Sequence, residues 1–351
     1  MPSRGAEMRH ARPGDWPACG RLLRQGSQTF YAASLLLPPR LRRPTTALYA
    51  FCRLADDAAD LDGGRPERIA DLRLRLGRIY AGRPLSMPVD RALADLVQDF
   101  ALPQPLLEAL FEGFAWDAAG RRYASLAELE AYAARVAGTV GAMMCLLMGR
   151  RAPWTVARAC ELGMAMQLTN IARDVGEDAR AGRLYLPLDW LREAGIDPEA
   201  WLARPAFGPE LAGVVARLLD AAAMLYQRAE LGVADLPGDC RPGIRAARLL
   251  YAEIGVELAR RGLDSVAVRT VVPAGRKLRV LTQLVRGIPR PPRAVAFEPR
   301  PAARFLIDAV VAAPAPARPA AAWRWWDVDA QLGRMLELLQ QAERRRELGE
   351  A

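Results

Sequence analysis

Between about residues 48 and 262 the chain is a succession of long helix-forming runs, and no comparable stretch alternates as a half-buried strand must. The run at 48–61, LYAFCRLADDAADL, holds good helix formers and neither proline nor glycine. Similar runs cover about 67–81, 89–100, 104–118, 126–149, 159–177, 208–232 and 243–262, separated by short breaks such as Gly63-Gly64 and Leu236-Pro237-Gly238-Asp239. The one β-branched run, Val266 to Val272, is short. The pattern predicts an all-α domain over residues 20–287 with a large core. The apolar segment 136–149 is too short to span a bilayer and reads as a buried helix. No repeat of solenoid length occurs.

Outside that domain the composition changes. Residues 1–19 read as a polar leader, broken by proline and glycine and unlike a secretory signal. Residues 288–322 carry Pro289, Pro291, Pro292, Pro299, Pro301, Pro314, Pro316 and Pro319. They read as an extended Pro/Arg-rich linker whose apolar stretch 305–313 can dock. Residues 323–351 read as a C-terminal amphipathic helix, with Trp323, Trp325 and Trp326 at its start and Arg344 to Arg346 near its end. Such a face suits peripheral contact with a membrane or docking on the core.

The rare residues remove several chemistries. The chain has one histidine, His10, and its 49 cationic side chains include a single lysine, Lys277. A histidine-based triad would have to use His10, in the polar leader, and a His-rich zinc site is impossible. The only lysine sits in Ala-Gly-Arg-Lys277-Leu, so no phosphate loop of the GxxxxGK[ST] type exists. The five cysteines, Cys19, Cys52, Cys145, Cys160 and Cys240, are scattered and form no CxxC, which fits a reducing cytoplasm. Carboxylates, arginines, tyrosines, hydroxyls and a carboxylate-held metal remain. The net charge of +9 favours polyanionic partners, although arginine-rich codon usage accounts for it equally well. The arginines are spread along the whole chain rather than gathered on a reading element with interleaved aromatics, so no nucleic-acid partner is expected. Nothing in the sequence specifies an oligomeric state.

Two acidic constellations stand about 110 residues apart. Tyr49, Arg53, Asp56 and Asp60 are spaced by four, three and four, which puts them on one helical face. Gln167, Asn170, Asp174 and Asp178 are spaced by three, four and four, with Arg173 beside them. Like charges at i,i+4 destabilise a helix by a few tenths of a kcal/mol. A solvated acidic face paired with surface arginines would explain one such row. Both rows, however, have strongly apolar flanks, as expected of residues lining a cavity. Oxygen-only ligands favour a hard cation, and Mg²⁺ prefers a few carboxylates together with substrate phosphates.

These segments resemble the squalene/phytoene synthase family. The match runs through GSQTFYAASLLLP (26–38), LYAFCRLADDAAD (48–60), YAARVAGTVG (132–141), LGMAMQLTNIARDVGEDARAGRLYLP (162–187, with Arg183, Tyr185 and Pro187) and AARLLYAEI (246–254). The resemblance implies an all-α isoprenoid-synthase bundle with a central cavity, and head-to-head condensation of two geranylgeranyl diphosphates to phytoene through a cyclopropyl diphosphate. It implies that Asp56, Asp60, Asn170, Asp174 and Asp178 hold Mg²⁺, or Mn²⁺ in its place. Diphosphate contacts fall on Ser27, Thr29, Tyr49, Arg53, Gln167, Arg173, Tyr251 and Arg269. Gln28 stands where many relatives carry a basic residue, and Thr29 where they carry serine; Thr29 still offers a hydroxyl. No nicotinamide is expected. Two other readings compete. One is the same fold acting on farnesyl diphosphate to make squalene, dehydrosqualene or a hydroxysqualene. The other is a non-catalytic assembly factor, which should have lost the aspartates that this chain keeps. The expected location is cytoplasmic, with peripheral contact at the inner face of the membrane.

Overall fold

In the computed structural model, residues 9–26, 34–60, 66–285 and 298–316 are described, and among them every regular element is helical. In chain order these are α1 (Asp15–Gly26), α2 (Pro39–Asp60), α3 (Pro66–Tyr80), α4 (Pro88–Phe100), α5 (Gln104–Ala118) and α6 (Leu126–Ala133). A π-helical turn (Ala134–Gly138) then leads into α7 (Thr139–Leu147), followed by α8 (Pro153–Arg180), α9 (Leu188–Glu193), α10 (Pro198–Ala203), α11 (Pro209–Val233), α12 (Arg241–Arg260), α13 (Ala274–Leu281) and α14 (Arg304–Ala312). Proline opens many of them, including α4, α8 and α11, because its missing N–H costs nothing in a first turn. Gly149 and Gly182, with φ of 73° and 74°, end α7 and α8 in the left-handed conformation that glycine tolerates.

The long helix α8 is the axis of the bundle. It packs against α11 along much of its length and is flanked by α7, the π turn, α12 and α14. One continuous apolar core runs through these helices, with Phe51, Leu93, Phe111, Cys160 and Leu168 fully or almost fully buried. Arginine supplies the polar ties between helices. Arg75 of α3 grips the buried Asp90 of α4, and Arg91 of α4 meets the buried Asp15 of α1 at 2.6 Å.

Three features depart from the sequence reading. The polar leader does not end at residue 19: α1 begins at Asp15, buries Cys19 and Leu23, and packs on α2 and α4. The apolar run 126–149 is not one α-helix, because the π turn interrupts it at the Val-Ala-Gly segment. The wider turn brings the Ala137 carbonyl so close to Gly163 of α8 that a Cβ at 163 would lie 2.1 Å from it. Within the segment read as linker, residues 301–312 form a short 3₁₀ turn and α14, which buries Leu306, Ile307 and Val310 against α5, α7 and α8. The apolar stretch 305–313 is therefore a docked helix. The Val266–Val272 run forms no strand. The C-terminal amphipathic segment 323–351 lies outside the described residues.

Candidate active site

From Leu162 onward, helix α8 carries one face from apolar to charged as it rises. Arg158, Leu162, Met166, Gln167 and Asn170 all line a single cavity of about 280 Å³. Helical spacing continues that stripe to Asp174 and Asp178, one and two turns beyond Asn170. Helix α2 repeats the gradient: Leu48, Tyr49 and Cys52 line the cavity, and Arg53 and Asp56 follow on the next turn. Tyr251 of α12 completes the polar end. From Arg158 to Asn170 the rise along α8 is about 18 Å. The result is a mainly hydrocarbon slot with two amides, Gln167 and Asn170, and two phenols, Tyr49 and Tyr251, at its polar end and carboxylates and guanidinium groups beyond.

The second acidic face is an ion network. Arg173 Nε and Nη2 donate to the two carboxylate oxygens of Asp174 at 2.7 and 2.6 Å. Arg269 Nε donates to Asp174 Oδ1 at 2.9 Å from the loop after α12. That loop is seated by Gly176, whose N–H donates to Ser265 O at 2.9 Å and where a Cβ would stand 2.3 Å from Val266 O. A helix carrying any other residue at 176 could not let the loop come so near. Asp178 sits half-buried one turn on; burial, and then the neighbouring Asp174 charge, push its carboxyl up to about 7.

On the first acidic face Arg53 reaches Asp57 at 2.7 Å and Asp56 at 3.4 Å, all three well exposed. The backbone of Asp60 ends α2, but its side chain lies outside the described residues, as do Ser27 and Thr29. At Gly26, the last residue of α1, a Cβ would stand 2.5 Å from the Tyr49 hydroxyl. Burial raises the Tyr49 phenol above its ordinary value.

One group was not foreseen from sequence. Asp117, on α5, accepts hydrogen bonds at 2.7 Å from both Tyr132 and Tyr185, whose rings stack 5.3 Å apart. Asp117 also lies near enough to Asp178 for its charge to add to the upward shift of that carboxyl. A lone aspartate in the apolar run Phe-Ala-Trp-Asp117-Ala gives no periodic signal. The tyrosines were visible as parts of the YAARVAGTVG and Arg-x-Tyr-x-Pro motifs.

The donor set suits a hard divalent cation. Asn170, Asp174 and Asp178 are oxygen donors on one stripe, and a bound cation would offset both the burial and the neighbouring Asp174 charge that raise the Asp178 carboxyl. In this arrangement arginines engage Asp56 and Asp174, and no group of three or more His, Cys, Asp or Glu side chains is gathered at metal-binding distance among the described residues.

A family model described as squalene/phytoene synthase matches residues 23–279. Phytoene synthase of Rhodobacter capsulatus is 52% identical over 304 residues, covering 84% of this chain and 89% of that protein. Phytoene synthase of Cereibacter sphaeroides is 54% identical over 274 residues, covering 75% and 77%. Among solved structures, a dehydrosqualene synthase in complex with ligand aligns with a TM-score of 0.72 at 30% identity, over 77% of this chain and 95% of that one. A squalene synthase of Alicyclobacillus acidocaldarius aligns with a TM-score of 0.66 at 26% identity, over 71% and 94%.

Proposed function

The chain belongs to the squalene/phytoene synthase family, and from that premise we propose that it is a prenyltransferase that joins two geranylgeranyl diphosphates head to head to give phytoene, in carotenoid biosynthesis. One observation carries this reading: the continuous gradient along α8, from an apolar slot to a rim of carboxylates and guanidinium groups. A prenyl diphosphate has the same gradient, a long hydrocarbon ending in concentrated negative charge.

The chain's own residues supply the positive charge and the apolar enclosure that the chemistry calls for. Arg53, Arg173 and Arg269 stand where the diphosphate head would lie and carry permanent charge, so they favour a leaving diphosphate at any physiological pH. Mg²⁺ held by Asp56, Asn170, Asp174 and Asp178, with Asp60, would add electrostatic stabilisation of that leaving anion. As the allylic C–O bond of one substrate breaks, the double bond of the second supplies the electron pair for the new C–C bond. The released diphosphate takes up one proton as the cyclopropyl diphosphate closes. Loss of the second diphosphate, rearrangement and departure of a second proton give the triene, so two diphosphates and two protons are released in all. The apolar slot keeps water from the cationic carbons. Asp117 orients the phenols of Tyr132 and Tyr185 near the charged end. No step calls for a nicotinamide.

The test is conversion of geranylgeranyl diphosphate to phytoene by the purified protein with Mg²⁺ and no reductant. Turnover of farnesyl diphosphate alone would refute the substrate assignment. Asp56→Ala and Asp174→Ala should each abolish turnover in a protein that still melts cooperatively; retained activity in either would overturn the metal assignment.

A further inference from the structure

Two hydroxyls are buried at the level of the cavity's polar end, and neither belongs to its lining. Thr169 stands on α8 between Leu168 and Asn170 and is 2% exposed; Tyr226 stands on α11 and is 4% exposed. Their oxygens are 3.0 Å apart. The direction of the bond follows from the protons available. Thr169 has one hydroxyl proton and donates it to Ala165 O at 2.8 Å, an atom that can only accept. The Tyr226 O–H therefore donates to Thr169 Oγ1. Burial raises the Tyr226 phenol above its ordinary value, so that proton stays on it. A phenylalanine and a valine would fill the same space without desolvating two hydroxyls, at nearly equal stability. What the polar pair adds is direction: it fixes the rotation of one helix against another where apolar side chains tolerate a slide.

Tyr226 joins three helices. Its hydroxyl ties α11 to α8 at the turn that carries Gln167, Asn170 and Arg173. Its carbonyl accepts from Arg248 Nε of α12 at 3.3 Å. Arg245 and Arg248 both engage Glu230, one turn further along α11, and so lock α11 to α12. Arg248 lies three residues before Tyr251, on a neighbouring part of the helix surface. The Tyr226 hydroxyl is near enough to Tyr251 and to Arg173 for their charges to bear on it, and Tyr251 bears on Arg173 in the same way. The buried phenol thus backs the place where α8 and α12 bring a guanidinium and a second phenol together.

We infer that Tyr226, through its bond to Thr169, is a positioning residue for the diphosphate end of the site: it sets α8 against α12 and so holds Arg173 in register with Tyr251. The inference deepens the prenyl diphosphate reading above and rests on it. Tyr226 touches no reacting atom. Its effect comes through the alignment of groups around the leaving diphosphate, where a misplacement of about 1 Å costs on the order of a hundredfold in rate.

The experiment uses the full chain with Mg²⁺. It reads kcat and KM for geranylgeranyl diphosphate, calorimetric affinity for inorganic diphosphate, and Tm, in Tyr226→Phe, Thr169→Val and the double variant. Each single variant should weaken diphosphate binding and lower kcat/KM by about fivefold to tenfold. Thr169→Val strands the Tyr226 proton in an apolar site and should lower Tm as well. The double variant strands nothing, so its Tm should recover while its diphosphate affinity stays low. Thr169→Ser keeps the acceptor and should regain most of the affinity lost in Thr169→Val. A double variant that binds diphosphate as wild type does, or affinities that rise and fall with Tm across the set, would overturn the inference and leave the pair a packing contact. A wild-type protein that binds diphosphate without turning over geranylgeranyl diphosphate would refute the proposed activity, and the diphosphate affinities alone would then decide the role of Tyr226. A wild-type protein that binds no diphosphate would overturn both.

Discussion

Arg269 Nε lies 2.9 Å from Asp174 Oδ1, joining the loop after α12 to a carboxylate that Arg173 already holds from within α8. The pair is half open to solvent on the arginine side. An exposed ion pair of this kind contributes roughly 1 kcal/mol or less to stability. Its value lies in the charge it holds over the mouth of the cavity. Arg269→Ala should lower kcat/KM by at least about tenfold, since one charge-assisted contact is worth about 1.5–3 kcal/mol. Tm should stay nearly constant. Steady-state kinetics beside thermal melts check this; a large fall in Tm with kcat/KM preserved would make Arg269 a structural tie only.

The two glycines of the Val-Ala-Gly-Thr-Val-Gly segment should answer differently to alanine. At Gly141 a Cβ would stand 2.1 Å from Ala159 O and 2.7 Å from its carbonyl carbon, and a backbone cannot move aside alone. At Gly138 the nearest atoms are 3.4 Å away or more, which is ordinary contact. Gly141→Ala should therefore cost about 1–3 kcal/mol or more by forcing α7 off α8. Gly138→Ala should lie near neutral, helped by alanine's better helix propensity. Urea melts of the two variants decide it, and equal effects would contradict the packing described.

Much of this was legible because helices write their faces into spacing. The rows Tyr49–Arg53–Asp56 and Gln167–Asn170–Asp174 repeat at three and four residues, so they share a face wherever the helix lies. The mass of arginine was legible as composition but not as purpose: Arg75 and Arg91 tie helices together, and Arg300 ties the 3₁₀ turn to α6, over sequence distances that no local pattern encodes. Asp117 escaped notice for the same reason, since its partners Tyr132 and Tyr185 are 15 and 68 residues away. The helix at 304–312 was masked by proline density. Proline forbids helix interiors but favours first turns, and Pro301 sits in the 3₁₀ turn just ahead of α14.

That docked segment should be part of the catalytic unit although it lies beyond the matched residues 23–279. Arg300 makes a two-pronged bond to Glu130, which is almost wholly buried, and Leu306 is fully buried with its Cδ1 at the π turn. Leu306→Ala should cost about 2–5 kcal/mol as a core truncation. Arg300→Ala should cost less than the roughly 3–5 kcal/mol of a fully buried pair, because a third of the arginine side chain is solvated. Truncation after Arg286 should lower Tm further than either and reduce activity with it. A truncated protein with wild-type Tm and turnover would show the docking to be dispensable; sedimentation of both forms with liposomes measures in the same experiment whether the removed segment binds lipid.

Glu257 gives the clearest pH signature. It is fully buried near the end of α12 and accepts from Arg260 at 2.8 and 2.9 Å and from Arg261 at 2.7 Å, with Arg276 of α13 close by. Arg260 and Arg261 hold its carboxyl down at about 2, against an ordinary 4.5. A carboxyl depressed in the folded state binds fewer protons there than in the unfolded chain, so acid favours unfolding across that interval. The stability it contributes is complete above about 4.5 and is lost as pH falls towards about 2. Glu257→Gln removes the ion pairs at every pH. The difference in Tm between wild type and Glu257→Gln should therefore be constant from neutral pH down to about 5 and shrink steadily below that. Thermal melts between pH 7 and 3 trace the curve, and a difference independent of pH throughout would mean that hydrogen bonding and shape, rather than charge, fix this corner of α12.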